Sequence, residues 1–296
     1  MWWTRRNITA PSSRALSTCG ILQYAEPNSW QDHRFGLPLE RWEWLKGRAF
    51  WVTGAGTGYG RAIALALTAA GALAFITGRR IEKLEETKAE GLRLGIDVEF
   101  CHPVVADITS ESELASAVEL IGQHTGQLSG LVNSAALPQP GRDRYPLADL
   151  SLDRWSELMQ TNVTAQWLTT KAALPLLTSS SATRVLFLTS EAGWADTLGF
   201  GPYNISKAAV NALGVSFAAE CQAMLPDNDI QINVLVPGEA NTEMNRESEA
   251  SPYSVVSMTL ALLTHPAGGP NGRFFHRDGR HLAFGFSDAY TKDLLT

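Results

Sequence analysis

The stretch Thr53-Gly54-Ala55-Gly56-Thr57-Gly58-Tyr59-Gly60 decides the fold. Residues 49–53, just before the glycines, have the composition of a buried strand, and residues 61–70 have that of an apolar helix. Free N–H groups and the dipole at a helix N-terminus attract an anion, and glycines let the backbone approach a phosphate without an intervening Cβ. The stretch therefore predicts a phosphate-binding turn between a strand and a helix.

The spacing of the glycines distinguishes this turn from two other nucleotide loops. A GxGxxG fingerprint would require glycine in place of Tyr59 or Arg61, depending on the glycine from which it is counted. A Walker A loop would require Gly-Lys-Ser or Gly-Lys-Thr, and the stretch contains no lysine. The spacing that fits is TGxxxGxG, with glycine positions Gly54, Gly58 and Gly60.

From Arg48 onward, short apolar runs alternate with longer amphipathic runs, which is typical of a parallel sheet covered by helices. The predicted strands are residues 49–53, 73–77, 98–105, 130–132, 184–189, 231–236 and 272–275. The predicted helices are residues 61–70, 80–94, 111–124, 153–174, 203–224 and 254–263, two of which we expect to end near Pro175 and Pro226. We expect an α/β fold in which residues 47–296 form one doubly wound Rossmann-type parallel sheet of about seven strands with helices on both faces.

The end of the second predicted strand indicates which coenzyme the turn selects. An NAD site needs an acidic residue there, about 20 residues after the glycines, to accept a hydrogen bond from the ribose 2′-hydroxyl. The sequence is instead Thr77-Gly78-Arg79-Arg80, and the first carboxylate is that of Glu82. Because a guanidinium pairs well with a 2′-phosphate, we predict NADP(H), with NAD(H) as the less favoured coenzyme. At least one of the two arginines also fits the start of a solvated helix.

Tyr203 and Lys207 lie one turn apart on a predicted helix, and Ser190 follows the strand predicted to end at Thr189. Hydride transfer to a carbonyl carbon also requires a proton for the oxygen, so an acid/base that works near neutral pH is needed. An ammonium about 5 Å from a phenol contributes about 3 kcal/mol at an effective dielectric constant of 20, enough to bring a tyrosine pKa from about 10 to about 8. We predict that Tyr203 is the acid/base, that Lys207 lowers its pKa, and that Ser190 holds the substrate oxygen.

With these motifs the sequence resembles the short-chain dehydrogenase/reductase family, in its branch of about 250 residues, from about Gly47 to the C-terminus. The resemblance implies that the coenzyme diphosphate is wrapped by Gly54, Gly58, Tyr59 and Gly60. It also implies that Tyr203 and Lys207 contact the coenzyme, Lys207 at the nicotinamide ribose, and that Asn162 carries a proton relay. The remaining coenzyme contacts that it implies are Asp107, Ile108, Asn133, Ala135, Pro237, Gly238 and Thr242.

Some segments depart from the family pattern or vary within it. Asn133-Ser134-Ala135-Ala136 stands where the family has Asn-Asn-Ala-Gly, and we expect the Cβ of Ala136 to shift the loop beside the coenzyme. Arg277-Asp278-Gly279-Arg280 stands where an Asp-Gly-Gly turn is usual. By resemblance, residues 243–251 order on binding, and residues 194, 198 and 200 build a substrate wall, for which core packing is an equal alternative.

Composition argues against several classes of protein. The 296 residues contain 24 Lys+Arg and 30 Asp+Glu, a net charge of −6 with no long basic run, so we predict no nucleic-acid partner. The apolar runs are shorter than the roughly 18 residues of a membrane span. The spacing of the cysteines does not fit a disulfide framework, and neither the cysteines nor the clustered histidines have the spacing of a zinc site, so we predict no metal site. The residues concerned are Cys19, Cys101, Cys221, His265, His276 and His281.

Residues 1–46 differ in composition and are predicted to form an irregular N-terminal extension. Arg5, Arg6 and Arg14 precede the first acidic residue, Glu26, which is weakly typical of an organelle transit peptide. An extension that lies over the domain, with Trp42 and Trp44 packed against it, is the favoured alternative. We therefore predict a cytoplasmic protein, with organelle targeting as the minor alternative.

Together these features predict an NADP(H)-dependent oxidoreductase that interconverts a carbonyl and a secondary alcohol on a small-molecule substrate. The resemblance implies a homotetramer or homodimer. Two other interpretations stay open: a nucleotide-sugar epimerase or dehydratase of the same family, and a non-catalytic NADP(H) sensor. The first typically has a GxxGxxG loop, and Thr57 stands at the position of its middle glycine. The combination of Asn162, Ser190, Tyr203 and Lys207 argues against the second.

Overall fold

A computed structural model describes residues 26–138, 147–194 and 200–282. Within these ranges the strands are β1 Ala49–Thr53, β2 Leu73–Gly78, β3 Cys101–Val105, β4 Gly130–Asn133, β5 Ala182–Leu188, β6 Asp229–Val236, β7 Phe274–His276 and β8 His281–Leu282. The helices are α1 Trp30–His33, α2 Leu39–Leu45, α3 Gly58–Ala69, α4 Ile81–Arg93, α5 Glu111–His124, α6 Leu152–Met159, α7 Ala165–Thr178, α8 Gly201–Met224 and α9 Val256–Leu263.

All eight strands belong to one sheet, in the order β3-β2-β1-β4-β5-β6-β7-β8. The first seven are parallel to their neighbours, and β8 pairs antiparallel with β7. The predicted α/β fold with about seven parallel strands is confirmed. The pattern missed β8, because a strand of two residues is too short to show alternation.

The two faces of the sheet carry separate hydrophobic cores. Phe50 and Val52 on β1 point into a core with α2, α3 and α9, whereas Ala49 and Trp51 point into a core with α5, α7 and α8. Successive side chains of a strand point to opposite faces, so β1 supplies both cores at once. This explains why β1 reads as a continuous apolar run.

The predicted helix at residues 153–174 is wrong in two respects. The helical turns widen to a π-helix at Gln160–Thr164, between α6 and α7. Pro175 also lies inside α7 and does not end it. The last turn continues because the Thr178 hydroxyl donates to the Leu174 carbonyl and the Ser179 hydroxyl to the Pro175 carbonyl, which satisfies groups that a terminating helix leaves open.

The predicted irregular structure up to residue 46 is wrong for α1 and α2. Phe35, Leu37, Trp42 and Leu45 are all buried in the first core, and Trp44 packs partly against it. The prediction that the two tryptophans pack back onto the domain is confirmed. The boundary at residue 46 stays a prediction, and the possible transit-peptide arginines, Cys19 and Leu198 lie outside the described residues.

In the described ranges, none of the helices combines enough length with enough apolar character to span a bilayer. Cys101 and Cys221 are buried free thiols.

Candidate active site

The glycine turn is shaped by backbone that leaves no room for side chains. Gly54 has φ +65° and Gly58 has φ +53°, values that L side chains rarely adopt. A Cβ at Gly54 would lie 2.7 Å from Ala135 Cα, and one at Gly60 would overlap the Gly54 carbonyl. The turn therefore presents bare backbone at the N-terminus of α3, which fits a diphosphate group.

Two residues that sequence reasoning did not single out hold this turn in place. The Thr87 hydroxyl on α4 donates to the Ala55 carbonyl at 2.9 Å, and Arg61 Nε donates to the Gly56 carbonyl at 3.0 Å. Arg61 also forms an ion pair with Glu90 at 3.2 Å. The sequence could have predicted this contact from Arg61, because a single cation at the start of an otherwise apolar helix needs a polar partner.

Replacing Gly60 with alanine tests this packing. The added methyl has to push the turn away from Gly54, so we expect the free energy of unfolding to fall by about 1–3 kcal/mol. We also expect coenzyme affinity to fall by at least tenfold, because the diphosphate cradle moves. Urea unfolding and coenzyme titration measure the two effects. Gly122→Ala is the matched control, since a Cβ there has no neighbour within 4 Å.

A cleft of about 1370 Å³ opens beside the glycine turn, at the carboxyl ends of the strands. It brings together most of the sequence-predicted residues: Gly54, Gly58, Tyr59, Arg79, Arg80, Asp107, Ile108, Ala135, Ser190, Tyr203, Lys207, Pro237, Gly238 and Thr242. Gly60, Asn133 and Asn162 are not in its wall. Ligands of parallel sheets bind at this edge, so the cleft is the candidate active site.

Tyr203, Lys207 and Ser190 line the same part of the cleft. Tyr203 lies in the first turn of α8, where the helix dipole favours an anion, and Lys207 Nζ lies 5.6 Å from the centre of its ring. Lys207 is 3 % exposed, and its ammonium donates to the Leu188 carbonyl at 3.1 Å. The predicted juxtaposition of ring and ammonium is confirmed. The three side chains supply a hydroxyl, a phenol and a cation around one point.

The predicted lowering of the Tyr203 pKa is wrong for the chain without coenzyme. Burial raises the pKa of Tyr203 to about 12; a hydrogen bond with Ser190 lowers it, and the charge of Glu191 raises it further. Burial also lowers the pKa of Lys207 to about 8. The prediction rests on the attraction between the two groups alone. Burial also removes water from each of them, which disfavours the charged form of both side chains.

Asn162 holds the loop after β4, and Asn133 ties the end of β4 to α7. Asn162 lies in the π-helix, accepts from Leu137 N–H at 2.7 Å and donates to Ser206 Oγ at 3.1 Å. Asn133 is buried and donates to Thr170 Oγ1 at 3.0 Å. Asn162 thus fixes backbone at Leu137, which lines the cleft, while the relay through Asn162 stays a prediction, as does the loop shift expected from Ala136.

The segment after β6 is held by Tyr59 and by the part of the chain that departs from the family pattern. The Tyr59 hydroxyl donates to the Gly238 carbonyl at 2.7 Å. Gly238 has φ +68°, and a Cβ there would lie 2.8 Å from the Arg277 guanidinium, which donates to the Pro237 carbonyl at 3.2 Å. Arg277 therefore takes a definite role in shaping the cleft, which its departure from the expected turn did not reveal.

A titratable cluster borders the Tyr203 end of the cleft. His276 Nε2 lies 3.4 Å from Glu191 Oε1, and His276 Nδ1 lies 2.8 Å from Asp278 Oδ1. The hydrogen bond with Glu191 raises the pKa of His276 against the effect of burial, and Asp278 adds to the rise. The described ranges contain no group of three or more metal-ligating side chains arranged to hold an ion.

The opposite end of the cleft carries the two predicted phosphate-binding arginines. Arg79 NH1 lies 3.8 Å from Asp107 Oδ2, and Arg80 NH2 lies 3.0 Å from a carboxylate oxygen of Glu243. Burial would raise the pKa of Asp107, but hydrogen bonds from Thr109 and the charge of Arg79 lower it. At this end of the cleft, both arginines therefore form ion pairs with carboxylates at the surface.

Comparisons with known proteins agree with this geometry. A family model described as short chain dehydrogenase matches residues 48–252. The Mus musculus protein named dehydrogenase/reductase SDR family member 1 is 31 % identical over 209 residues, which is 69 % of the chain but only 64 %, less than two thirds, of the mouse protein.

An uncharacterized oxidoreductase of Staphylococcus aureus strain MRSA252 is 26 % identical over 221 residues, covering 73 % of the chain and 90 % of that protein. The crystal structure of a short chain dehydrogenase from Salmonella enterica serovar Typhi has 25 % identity and a TM-score of 0.72, and the match covers 81 % of the chain and 99 % of that structure.

Proposed function

Because the chain belongs to the short chain dehydrogenase family, we propose that it is an NADP(H)-dependent oxidoreductase that interconverts a carbonyl and a secondary alcohol. The observation that supports this most is the meeting of Ser190, Tyr203 and Lys207 in one cleft beside a bare glycine turn. A hydride carrier and a proton donor have to reach opposite ends of the same carbonyl bond, and this cleft has room for both.

Each of the three side chains has a definite task in the proposed reaction. The bound coenzyme supplies the hydride that adds to the carbonyl carbon. The Tyr203 hydroxyl donates the proton that the carbonyl oxygen takes up and becomes a phenolate; in the reverse direction the phenolate takes the proton from the alcohol. Ser190 orients that oxygen by a hydrogen bond. Lys207 supplies positive charge behind the phenol and, by the family resemblance, contacts the nicotinamide ribose.

The residues present fit a diphosphate-linked coenzyme. Gly54, Gly58 and Tyr59 lie at the turn, and Thr242 packs against Gly58, where a Cβ would come within 3.1 Å of its methyl group. We propose that Gly60 shapes this turn and that Asp107 and Ile108 bind the adenine. On the same basis Ala135 borders the coenzyme, and Pro237 and Gly238 face its nicotinamide end, whereas Asn133 is buried outside the cleft wall.

Arg79 and Arg80 support NADP(H) as the coenzyme, because they directly follow the end of β2 at Gly78, where an NAD site would have an acidic residue. We expect the double replacement of Arg79 and Arg80 by alanine to weaken NADPH binding by at least tenfold and to change NADH binding by less than twofold. Fluorescence titration with each coenzyme measures this. Arg93→Ala, on the exposed side of α4, removes one positive charge as a control.

A panel of aldehydes and ketones, followed by NADPH absorbance, tests the proposed reaction. Net NADPH consumption with at least one carbonyl supports it. Turnover of a nucleotide sugar with no net NADPH consumption would indicate the epimerase or dehydratase alternative, and tight NADPH binding with no turnover would indicate a sensor. We propose further that the substrate is a small molecule and that the chain forms a homodimer or homotetramer; a cytoplasmic location stays a prediction.

A further inference from the structure

Glu243 places a carboxylate on the cations at the Arg80 end of the cleft. One of its carboxylate oxygens lies 3.0 Å from Arg80 NH2, and the other lies 3.8 Å from Lys83 Nζ. Arg80 and Glu243 are about half exposed, and Lys83 is more buried. All three side chains line the cleft that we propose for the coenzyme.

Backbone hydrogen bonds on both sides of Glu243 hold it in place beside Arg80. Thr242 N–H donates to the Asn245 carbonyl and Asn245 N–H to the Thr242 carbonyl, each at 3.1 Å, and Asn241 N–H donates to the Ala250 carbonyl at 2.7 Å. These bonds close a compact turn after β6. The turn carries the Glu243 side chain across the mouth of the cleft to α4, which begins directly after Arg80.

The same cations are the ones that a 2′-phosphate would need. Arg79 already lies 3.8 Å from Asp107, and Lys83 also contacts Glu86 at 2.8 Å. A phosphate dianion that approaches Arg80 meets the Glu243 carboxylate at close range, and like charges at this distance repel. A ribose 2′-hydroxyl meets no such repulsion, because it is neutral and donates a hydrogen bond to a carboxylate.

We propose that Glu243 is a specificity-determining residue for the coenzyme, whose carboxylate opposes the 2′-phosphate of NADP(H) and tolerates the 2′-hydroxyl of NAD(H). This inference rests on the proposed function, since it concerns the nucleotide end of the same cleft. Glu243 forms an ion pair with Arg80 when no phosphate is bound, and a phosphate has to displace the Glu243 carboxylate. The ion pair thereby limits the preference for NADP(H) that the two arginines create.

The test is the binding of NADPH and NADH to Glu243→Gln in the full-length protein, measured by fluorescence titration at low ionic strength. We expect the Kd for NADPH to fall at least fivefold and the Kd for NADH to stay the same or rise. Glu249→Gln is the matched control, because it removes the same charge from an exposed position on the same segment. It should change either Kd by less than twofold. Glu243→Ala repeats the measurement with a side chain that cannot bond to Arg80.

A second measurement separates the ion pair from a general change in charge. In an Arg80→Ala background, Glu243→Gln should improve NADPH binding less than it does in the wild-type background, since the ion pair that the phosphate displaces is gone and only the charge repulsion remains. An unchanged or higher NADPH Kd in Glu243→Gln would overturn the inference, and a higher Kd would indicate that Glu243 helps to hold the coenzyme in place. If the wild-type protein binds neither coenzyme, the proposed function fails as well. If it binds NADPH but Glu243→Gln has no effect, only this inference fails.

Discussion

Replacing Tyr203 with phenylalanine is expected to lower kcat/KM by about 10²–10⁴, the usual contribution of general acid/base catalysis. The ring keeps its packing against Phe200, 6.3 Å away between centres, so the cleft should keep its shape. We therefore expect NADPH to bind within about twofold of the wild-type Kd. Steady-state kinetics on a carbonyl identified in the panel, together with coenzyme titration, measure the two effects.

Tyr253→Phe provides the control for this experiment. Its hydroxyl donates to Glu90 at 2.7 Å, outside the proposed coenzyme cleft, so its removal should leave kcat nearly unchanged. Wild-type turnover in Tyr203→Phe would contradict the role that we give to the phenol. Loss of both turnover and coenzyme binding would instead indicate that the replacement had disturbed the cleft.

Replacing Lys207 with methionine is expected to abolish turnover and to stabilise the protein at neutral pH. Burial lowers the pKa of Lys207 from 10.5 to about 8, which corresponds to a cost of about 3 kcal/mol for keeping the charge in the folded chain. Loss of the hydrogen bond to the Leu188 carbonyl offsets about 1 kcal/mol of the gain. The net expectation is an increase of about 2 kcal/mol in the free energy of unfolding.

The difference in the free energy of unfolding between Lys207→Met and the wild type should depend on pH in the way expected for a buried lysine. Below about pH 8 both the folded and the unfolded wild-type chains hold the Lys207 proton, so the cost is fully present. Between about 8 and 10.5 the unfolded chain binds more protons, and wild-type stability rises with pH. The advantage of Lys207→Met should therefore shrink across this range in urea unfolding. An advantage that is independent of pH would contradict the assignment.

The glycine turn and the sheet were predictable because each rests on a local pattern. Continuous apolar runs give buried parallel strands, and the conformations of Gly54 and Gly58 admit few residues other than glycine. The meeting of Tyr203 with Lys207 needed only the helical repeat. These features follow from neighbours in sequence, so the sequence alone was enough.

The features that were missed depend on contacts between distant segments. The helix α2 is fixed by the burial of Trp42 and Leu45 against the first core, and its own sequence has no clear helical period. Glu243 lies far along the chain from Arg80, and nothing in the local sequence pairs them. The Tyr203 pKa likewise depends on desolvation by the folded cleft. Tertiary packing decided each of these cases.

The raised pKa of Tyr203 also leaves a clear requirement for catalysis. A phenol with a pKa of about 12 is fully protonated near neutral pH, so the proton for carbonyl reduction is present, whereas the phenolate needed for alcohol oxidation is scarce. For alcohol oxidation under the proposed function, we expect this pKa to fall when positively charged oxidised coenzyme is bound next to the phenol and Lys207. We therefore expect coenzyme binding and proton transfer to be coupled at Tyr203.

The most direct test is an ultraviolet difference titration of the Tyr203 phenol, comparing the wild-type protein with Tyr203→Phe in the absence and presence of saturating NADP⁺. We expect the phenol to ionise near pH 12 in the free protein and below pH 10, the ordinary value for tyrosine, when NADP⁺ is bound. A pKa that stays near 12 with NADP⁺ bound would contradict the claim that Tyr203 is the acid/base of this cleft.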